Sequence, residues 1–160
     1  MKIYHTSNTK VESPDITHSR AFLDFGKGFY ATNLESQARK YADKFLKAGE
    51  QAWMSVYELK EEWAQGFNVK VFDAYNEEWL DFVIANRNGE DVEMYDAVEG
   101  GVANDTVFET IDLYRTKLIG KRETLRRLRY RKPNHQICFL NQDIIDNNIT
   151  FEQCVEIKKS

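Results

Sequence analysis

A short stretch near the N-terminus, DFGKGFYAT at residues 24–32, combines residue types that can bind an anion and a flat ring. Gly26 and Gly28 lack a Cβ, so the backbone there can come close to a ligand. Lys27 can meet a negative charge, and Tyr30 presents an aromatic face. The stretch therefore predicts contact with an anionic molecule that carries a flat ring. The alternative is a tight turn that leads into a buried strand.

Two well-known glycine motifs do not fit this stretch. The Walker phosphate-binding loop needs a serine or threonine after its lysine, whereas Lys27 is followed by Gly28. A kinase DFG segment needs an upstream glycine-rich loop and a lysine strand, in a chain longer than 160 residues. Neither type of phosphate chemistry is expected here.

The composition predicts one folded domain over residues 1–160. Hydrophobic residues make up 42% of the chain and aromatic residues 13%, which is too apolar for a disordered protein. No apolar run approaches the roughly 20 residues that span a bilayer, and the start MKIYHTSN lacks a signal-peptide pattern. We expect a cytoplasmic protein without membrane contact, in which Cys138 and Cys154 remain reduced.

The charge is distributed unevenly along the chain. Residues 121–132, KRETLRRLRYRK, hold seven basic residues and one acidic residue, against totals of 22 and 26, so the rest of the chain carries −10. Such a block can contact phosphates or nucleic acid. The alternative is a solvated surface, or an internal partner for acidic side chains.

The elements that must position these residues alternate irregularly along the chain. Apolar periodicity predicts strands at KIYH, QAWMSVYEL, NVKVFD, YDAVEG, HQICFLN and TFEQCVEIK. It predicts helices at TNLESQARKYADKFLKAG, NEEWLDFVIANRN and DTVFETIDLYRTKLI, and another in the basic segment after Gly120. Thr32 with Glu35, and Thr106 with Glu109, have the spacing of capping boxes. The uneven connections favour an α+β fold over a doubly wound sheet.

Taken together, YHTS near the start, DFGKGFYAT and a late aromatic strand resemble the ADP-ribosyltransferase superfamily. The resemblance is to its branch with a histidine, tyrosine and glutamate triad. The layout of SRAFLDFGKGFYAT, NR, GVAND and HQICF is similar to a bacterial family of uncharacterised proteins grouped with those transferases, and it covers most of the chain. The resemblance implies a split β-sandwich of two small sheets with flanking helices, and NAD as the substrate.

The resemblance also implies roles for four residues around nicotinamide. His5 would bond the nicotinamide ribose, and the backbone of Thr6 would hold the carboxamide. Tyr30 would stack on the nicotinamide ring, and Tyr41, eleven residues later, would close the ring sandwich. Nicotinamide leaves as the ribose carbon becomes cationic, so the site must fix both rings and tolerate positive charge. The alternatives are a structural hydrogen bond for His5 and a core position for Tyr41.

The third motif of that family departs from its pattern in this chain. The catalytic glutamate begins a late strand in the transferases, and the matching stretch here is NHQICF, without an acid. Either His135 or Gln136 could occupy the position, and we prefer Gln136 because its neutral amide can still bond a ribose hydroxyl. Neither residue supplies the negative charge that stabilises a cationic ribose.

The remaining candidates concern the phosphates and the surrounding loops. Arg20 and Lys27 are expected to meet the pyrophosphate, although Arg20 could instead pair with Asp24. Arg87 at a helix end suits the helix dipole without a ligand, and residues 100–105 could form either an acceptor-cleft wall or a turn. The histidines and cysteines show no metal-ligand spacing, so no metal is expected.

The resemblance therefore implies a mono-ADP-ribosyltransferase that releases nicotinamide from NAD and modifies a protein or nucleic-acid acceptor. The alternative is a noncatalytic module of the same fold that binds NAD, ADP-ribose or a nucleic-acid end. Small transferases of this kind often serve as toxins or defence proteins.

Overall fold

The computed structural model describes residues 1–159, apart from the side chain of Asp105, and contains seven strands and six helices within that range. The strands are β1 Lys2–Ser7, β2 Phe29–Ala31, β3 Ala52–Leu59, β4 Val69–Val71, β5 Ala97–Gly100, β6 Gln136–Phe139 and β7 Ile149–Ile157. The helices are α1 Glu35–Tyr41, α2 Asp43–Lys47, α3 Glu77–Arg87, α4 Asp105–Arg115, α5 Lys121–Leu128 and α6 Gln142–Asn148.

The strands form two small sheets. One sheet has the antiparallel order β1-β3-β7, and the other has the order β2-β6-β5-β4, in which only the β4–β5 pair is parallel. Helices flank both sheets. The predicted α+β fold is therefore confirmed, including its two small sheets and flanking helices.

The main core lies between the two sheets. Ile3, Tyr57 and Leu59 of the three-stranded sheet pack in one cluster with Phe29 and Phe139 of the four-stranded sheet. Side chains alternate between the two faces of a strand, so the neighbours of these residues point away from this core. Aromatic rings make much of the contact, which buries a large apolar area for each residue.

The outer face of each sheet is covered by helices. Val98 and Cys138 of the four-stranded sheet pack in a second cluster with residues from three helices: Trp79, Leu80 and Val83 of α3, Val107 and Ile111 of α4, and Leu128 of α5. On the three-stranded sheet, Ala38 of α1 packs with Met54 and Val56. Asparagine side chains at the N-caps of α3 and α4 accept hydrogen bonds from Trp79 N and Val107 N, which fixes where these helices begin.

The two sheets meet at a bridge between β1 and β2. Tyr4 N donates to Thr32 O at 2.8 Å, and Thr32 N donates to Tyr4 O at 2.9 Å. No second bridge joins these two strands in the part of the chain that the structure describes. The strands therefore separate beyond this point, and a gap lies between residues 5–7 of β1 and residues 29–31 of β2.

Several sequence-based boundaries differ from the structure. The helix predicted over residues 32–49 is two helices, α1 and α2, which meet at Ala42. Both capping boxes are wrong: the N-cap of α1 is Leu34 without a side-chain bond, and the N-cap of α4 is Asn104. Strand β2 was predicted only in the alternative of a turn that leads into a buried strand, and helix α6 was not predicted, because three and seven residues give too short a periodic pattern.

Among the described residues, no helix is both long and apolar enough to cross a membrane.

Candidate functional site

The gap between β1 and β2 leaves the backbone of Thr6 without a strand partner on one side. Antiparallel strands direct the N–H and C=O of alternate residues to the same side, and those of Tyr4 point to β2. The main-chain groups of Thr6 therefore point into the gap as well. In the part of the chain that the structure describes, they have no hydrogen-bond partner there. The N–H of Thr6, a donor, and its C=O, an acceptor, therefore both face the gap between β1 and β2.

His5 lies beside this gap and is held in one orientation. Its Nδ1 lies 2.6 Å from the carbonyl oxygen of Tyr30, and because a carbonyl can only accept, Nδ1 carries the proton. The ring also lies against Phe29, with 4.7 Å between the ring centroids. Burial lowers the pKa of His5, and the Tyr30 carbonyl opposes this in part, so the ring is neutral near pH 7.

The neutral tautomer leaves Nε2 of His5 as a hydrogen-bond acceptor. No partner for Nε2 is found among the described residues. In the same range, every fully buried side-chain nitrogen and oxygen atom has a hydrogen-bond partner, so Nε2 retains access to solvent. A hydroxyl group that enters the gap could therefore donate to it.

The side chain of Thr6 attaches helix α1 to strand β1. Its hydroxyl donates to the carbonyl oxygen of Ala38 in α1 at 2.7 Å, and the residue is 7% exposed. The bond uses a carbonyl inside the helix and fixes α1 against β1. The candidate role of Thr6 thus rests on its main chain, because its side chain is already occupied.

Tyr30 is held by residues 24–28, the glycine loop, which precede it. Its hydroxyl donates to Gly26 O at 2.6 Å and accepts from Phe25 N at 3.1 Å. Burial raises the pKa of Tyr30, and the nearby Cys138 adds to the rise, so the phenol stays protonated. The ring lies parallel to Phe25, with centroids 6.4 Å apart. Tyr30 therefore has a structural role in addition to any contact with a ligand.

The two glycines of the loop meet the protein's own atoms. A Cβ at Gly28 would lie 2.5 Å from Phe139 O and 2.7 Å from Cys138 Sγ, so only glycine fits against β6. Gly26 has a φ of +98°, and a Cβ there would meet Asn86 Oδ1 at 3.4 Å. The turn that leads into a buried strand thus accounts for both glycines.

A buried ion pair fixes the start of the glycine loop. Asp24 is 5% exposed and accepts from Arg87 Nε at 2.6 Å, from Arg87 Nη2 at 2.5 Å and from Ala103 N at 2.7 Å. The alternative pairing of Arg20 with Asp24 is therefore wrong. Arg87 ends α3, as the helix-dipole argument had it, and its guanidinium also binds this carboxylate. One aspartate thus connects the glycine loop, α3 and the loop before α4.

A cavity of about 460 Å³ lies next to this ion pair and is lined by three cationic side chains. Arg20 reaches it from the segment before the glycine loop, Lys44 from α2 and Arg87 from α3. Phe22 and Phe108 also line it, with side chains that are 63% and 42% exposed. Asp24 balances Arg87, whereas no ion-pair partner of Arg20 or Lys44 is found within the described range. The cavity therefore favours an anion.

Two features indicate that Phe22 is held in place. It has a φ of 63°, in the left-handed region that residues other than glycine rarely adopt. A Cβ at Gly89 would lie 2.6 Å from Phe22 Cε1, so the ring lies directly on the backbone of that glycine. Backbone strain of this kind is often found at ligand sites.

Tyr41 lies beside this cavity, whereas Lys27 does not line it. Tyr41 is 48% exposed, so the alternative of a core position is wrong, and its hydroxyl accepts from Lys44 Nζ at 3.2 Å. Tyr41 thus lies next to a residue that lines the cavity. Lys27 is exposed and is not among the residues that line it.

The two candidates for the third motif have different surroundings. Gln136 begins β6 and pairs with Gly100 of β5, and its amide makes no hydrogen bond to the residues described. His135 is fully bonded: its Nδ1 accepts from Asn33 N at 3.2 Å, and its Nε2 donates to Glu99 Oε1 at 2.8 Å. Gln136 is thus the residue of the pair that remains open to a ligand.

The register places Gln136 near Tyr30. Tyr30 pairs with Cys138, and Gln136 lies two residues before Cys138 on the same strand. Alternate residues share a face, so the side chains of Tyr30 and Gln136 are diagonal neighbours on one face of the four-stranded sheet. His5, Thr6 and Tyr30 lie on the two strands that border the gap, and Gln136 lies on β6, on the far side of β2. Arg20 lies in the cationic cavity.

Comparison with known proteins gives one match. The model of the family described as Protein of unknown function (DUF3990) matches residues 1–151. The chain belongs to this family. No curated protein and no solved structure matches it.

Sequence reasoning missed four residues of the site: Asp24 as the anchor of Arg87, Lys44, Phe108 and Glu99. The Asp24–Arg87 pair and the Glu99–His135 contact join residues 63 and 36 positions apart, and no local pattern connects them. Phe22 was missed as well, because its exposure and its positive φ are visible only in the structure. The side chains that the structure describes contain no cluster of three potential metal ligands.

Proposed function

We propose that the chain is an NAD-dependent mono-ADP-ribosyltransferase that releases nicotinamide and transfers ADP-ribose to a protein or nucleic-acid acceptor. The observation that carries the proposal is the unpaired main chain of Thr6 at the β1–β2 gap. A carboxamide has a donor and an acceptor side by side, which is the complement of a free strand edge. Nicotinamide is therefore a suitable occupant.

Two neutral side chains, His5 beside this edge and Gln136 beyond β2 on β6, suit a ribose. Nε2 of His5 is an acceptor with access to solvent, and the amide of Gln136 has both donors and an acceptor to spare. A ribose attached to nicotinamide presents hydroxyl groups that can donate to the imidazole and bond the amide. Both side chains are neutral, so they can orient the sugar without adding charge.

The cationic cavity suits the pyrophosphate of NAD. Arg20 and Lys44 supply positive charge without an ion-pair partner among the described residues, and Arg87 is held by Asp24. Arginine can bind two phosphate oxygens at once, and exposed rings such as Phe22 can stack on a base. In this proposal, Lys27 contributes through its exposed charge at the rim of the loop.

One observation favours the alternative of a noncatalytic module that binds NAD or ADP-ribose. A transferase stabilises the cationic ribose with a carboxylate, and Gln136 has none. The carboxylate of Glu99 on the neighbouring strand is bound to His135 Nε2, and Glu99 pairs with Ile137, which places it on the opposite face from Gln136. The alternative therefore predicts binding without release of nicotinamide.

The test measures NAD binding by calorimetry and nicotinamide release by chromatography on the same preparation. The wild-type chain is compared with Gln136→Glu, which restores a carboxylate beside the developing cation. A preorganised charge can lower such a barrier by about 3 kcal/mol, so release should rise at least tenfold. Gln153→Glu on β7 is the matched control, because it adds the same charge at an exposed position of the other sheet.

The other register has an opposite expectation. If His135 held the third-motif position, His135→Glu would raise release and Gln136→Glu would not. We expect His135→Glu to destabilise the fold instead, because it places a second carboxylate next to Glu99 and removes the acceptor for Asn33 N. Binding of NAD without release in the wild type and in both glutamate variants supports the noncatalytic module. Absence of NAD binding contradicts both functions.

The proposal includes a bacterial toxin or defence role and a cytoplasmic location. Cys138 and Cys154 are both free thiols, which is the usual state in a reducing compartment. The acceptor is a macromolecule, and the basic segment 121–132 is the contact surface for a nucleic-acid acceptor. Labelled NAD followed by separate digestion of protein and nucleic acid identifies the class of acceptor.

A further inference from the structure

Ion pairs account for only part of the positive charge in the basic segment. Lys121 binds Glu77 and Asp81 of α3 at 3.0 and 2.8 Å, which fixes α5 to its neighbour. Arg126 and Arg127 share the carboxylate of Glu123 within α5. The hypothesis of an internal partner for acids is therefore correct for Lys121.

Four basic residues of the segment have no ion-pair partner among the residues described. They are Arg122, Arg129, Arg131 and Lys132, and all four side chains are exposed. Three of the four follow one another within four positions after the end of α5. On a protein with a net charge of −4, this is a local concentration of cations that can attract a polyanion.

A second cavity, of about 420 Å³, opens next to these cations. It lies between α4 and α5 and is lined by Thr106, Glu109, Thr110 and Leu113 on one side and by Arg127, Tyr130 and Arg131 on the other. We refer to it as the α4–α5 cavity. Its volume is within the range that accepts small organic groups, and its walls combine an aromatic ring, two cations and two hydroxyl groups.

Tyr130 is the residue that is hardest to explain by folding. Its side chain is 79% exposed, and the guanidinium of Arg129 lies 5.9 Å from its ring. An aromatic side chain contributes to stability by burial, and this one is left in solvent between arginines. Aromatic rings among cations are the usual platform on which single-stranded nucleic acids stack their bases.

The apolar face of α5 is already used, which argues against a membrane surface as the ligand. Leu128 is 1% exposed, and Leu125 packs against the same cluster under the four-stranded sheet. An interfacial helix needs its apolar side chains free to enter the lipid. The exposed surface of this segment is therefore cationic and aromatic, without a free aliphatic stripe.

We propose that the α4–α5 cavity and the basic residues that follow α5 bind single-stranded nucleic acid. One base stacks on Tyr130 in the cavity, and successive phosphates contact Arg127, Arg131 and Lys132. The guanidinium of Arg129 contacts the ring of Tyr130 and adds to the local positive charge. This binding needs no NAD, so its test does not depend on whether the proposed transferase activity is correct.

Two quantitative expectations follow from this arrangement. Three phosphate contacts give a slope of about −2 for log affinity against log salt, so affinity should fall roughly 15-fold between 50 and 200 mM salt. Glu109 is an exposed carboxylate in the wall of the cavity and repels phosphates. Glu109→Gln should therefore strengthen binding, which a merely structural cavity would not predict.

The experiment measures fluorescence anisotropy of a labelled 12-nucleotide single strand, as DNA and as RNA, with the full chain at 50 mM salt. Arg131→Gln combined with Lys132→Gln should weaken binding at least tenfold and flatten the salt dependence. Lys40→Gln combined with Lys47→Gln is the matched control, because both lysines are exposed on α1 and α2, which lie by the other sheet. The control should change affinity less than twofold.

Tyr130 gives a second, independent readout. Tyr130→Ala should weaken binding about fivefold or more, and Tyr130→Phe should keep it, since stacking needs only the ring. Failure of the wild type to bind either strand overturns the proposal, as does equal weakening by the two double variants. Binding to anionic lipid vesicles without binding to the oligonucleotides would also overturn it and would favour a membrane surface.

Discussion

The buried pair of Asp24 and Arg87 allows a direct test of how the glycine loop is held. Asp24→Asn keeps the shape of the side chain and removes its charge. Arg87, whose side chain is 17% exposed, then lacks its counter-charge, and Ala103 N loses a charged acceptor. Breaking a buried pair costs about 3–5 kcal/mol, and the partial exposure of Arg87 reduces this to about 2–3 kcal/mol.

This loss can be measured by urea unfolding followed by tryptophan fluorescence. For a domain of this size, a loss of about 2–3 kcal/mol corresponds to a fall in melting temperature of roughly 4–12 °C. Asp81→Asn is the control, because it removes the same charge from the exposed contact between α3 and Lys121. The control should leave the unfolding midpoint close to that of the wild type.

A double-mutant cycle identifies the cause of the loss. Arg87→Met removes the charge that Asp24→Asn leaves unpaired, so the double variant should lose clearly less stability than the sum of the two single variants. Additive losses would show that the two side chains do not interact in the way described. A wild-type midpoint for Asp24→Asn alone would mean that Asp24 does not hold the loop.

Three further predictions concern the gap and the loop. Gly28→Ala should destabilise the chain by about 2 kcal/mol in urea unfolding, because its Cβ would lie 2.5 Å from Phe139 O. Gly120→Ala has open space around it and should cost clearly less, about 0.5 kcal/mol, because alanine is a poorer N-cap of α5 than glycine. Tyr30→Phe should cost about 1–2 kcal/mol through the loss of two hydrogen bonds, and Tyr41→Phe should have little effect on stability; equal losses would contradict the assignment. Because burial lowers the pKa of His5, the unfolded chain binds more protons below about pH 6.5, and stability should fall as the pH drops from 7.5 to 5.5. The fall attributable to His5 is at most about 1.4 kcal/mol per pH unit, and melting curves of His5→Gln at both pH values should show a smaller fall than the wild type.

The sequence was sufficient for the elements whose side chains follow one strong period. Strand β3 and helices α3 and α4 lie where their apolar patterns predict them, and the change between periods 2 and 3.6 was enough for the α+β class. Strand β2 has three residues, and the long helix after it breaks at Ala42. Packing against other elements decides such short pieces, and a local pattern does not contain that information.

The site was only partly predictable for a related reason. The motifs were enough to name His5 and Tyr30. Their contact joins the imidazole of His5 to the main-chain carbonyl of Tyr30, and residue types alone do not specify such a bond. The free backbone of Thr6 depends on where β2 leaves β1, and Lys44 reaches its cavity from another helix. Contacts of this kind arise from the tertiary arrangement of distant segments.

The position of Cys138 has a practical consequence for studying motion in this molecule. The thiol is fully buried beneath Gly28 and Tyr30, and burial raises its pKa to about 12, so a thiol reagent cannot reach a reactive thiolate in the closed state. Labelling of Cys138 therefore requires the glycine loop to lift from β6. Cys154, which is partly exposed on β7, supplies an internal reference in the same chain. The ratio of the two labelling rates thus reports how often the glycine loop opens. A ligand that closes the loop would slow the labelling of Cys138 and leave that of Cys154 unchanged.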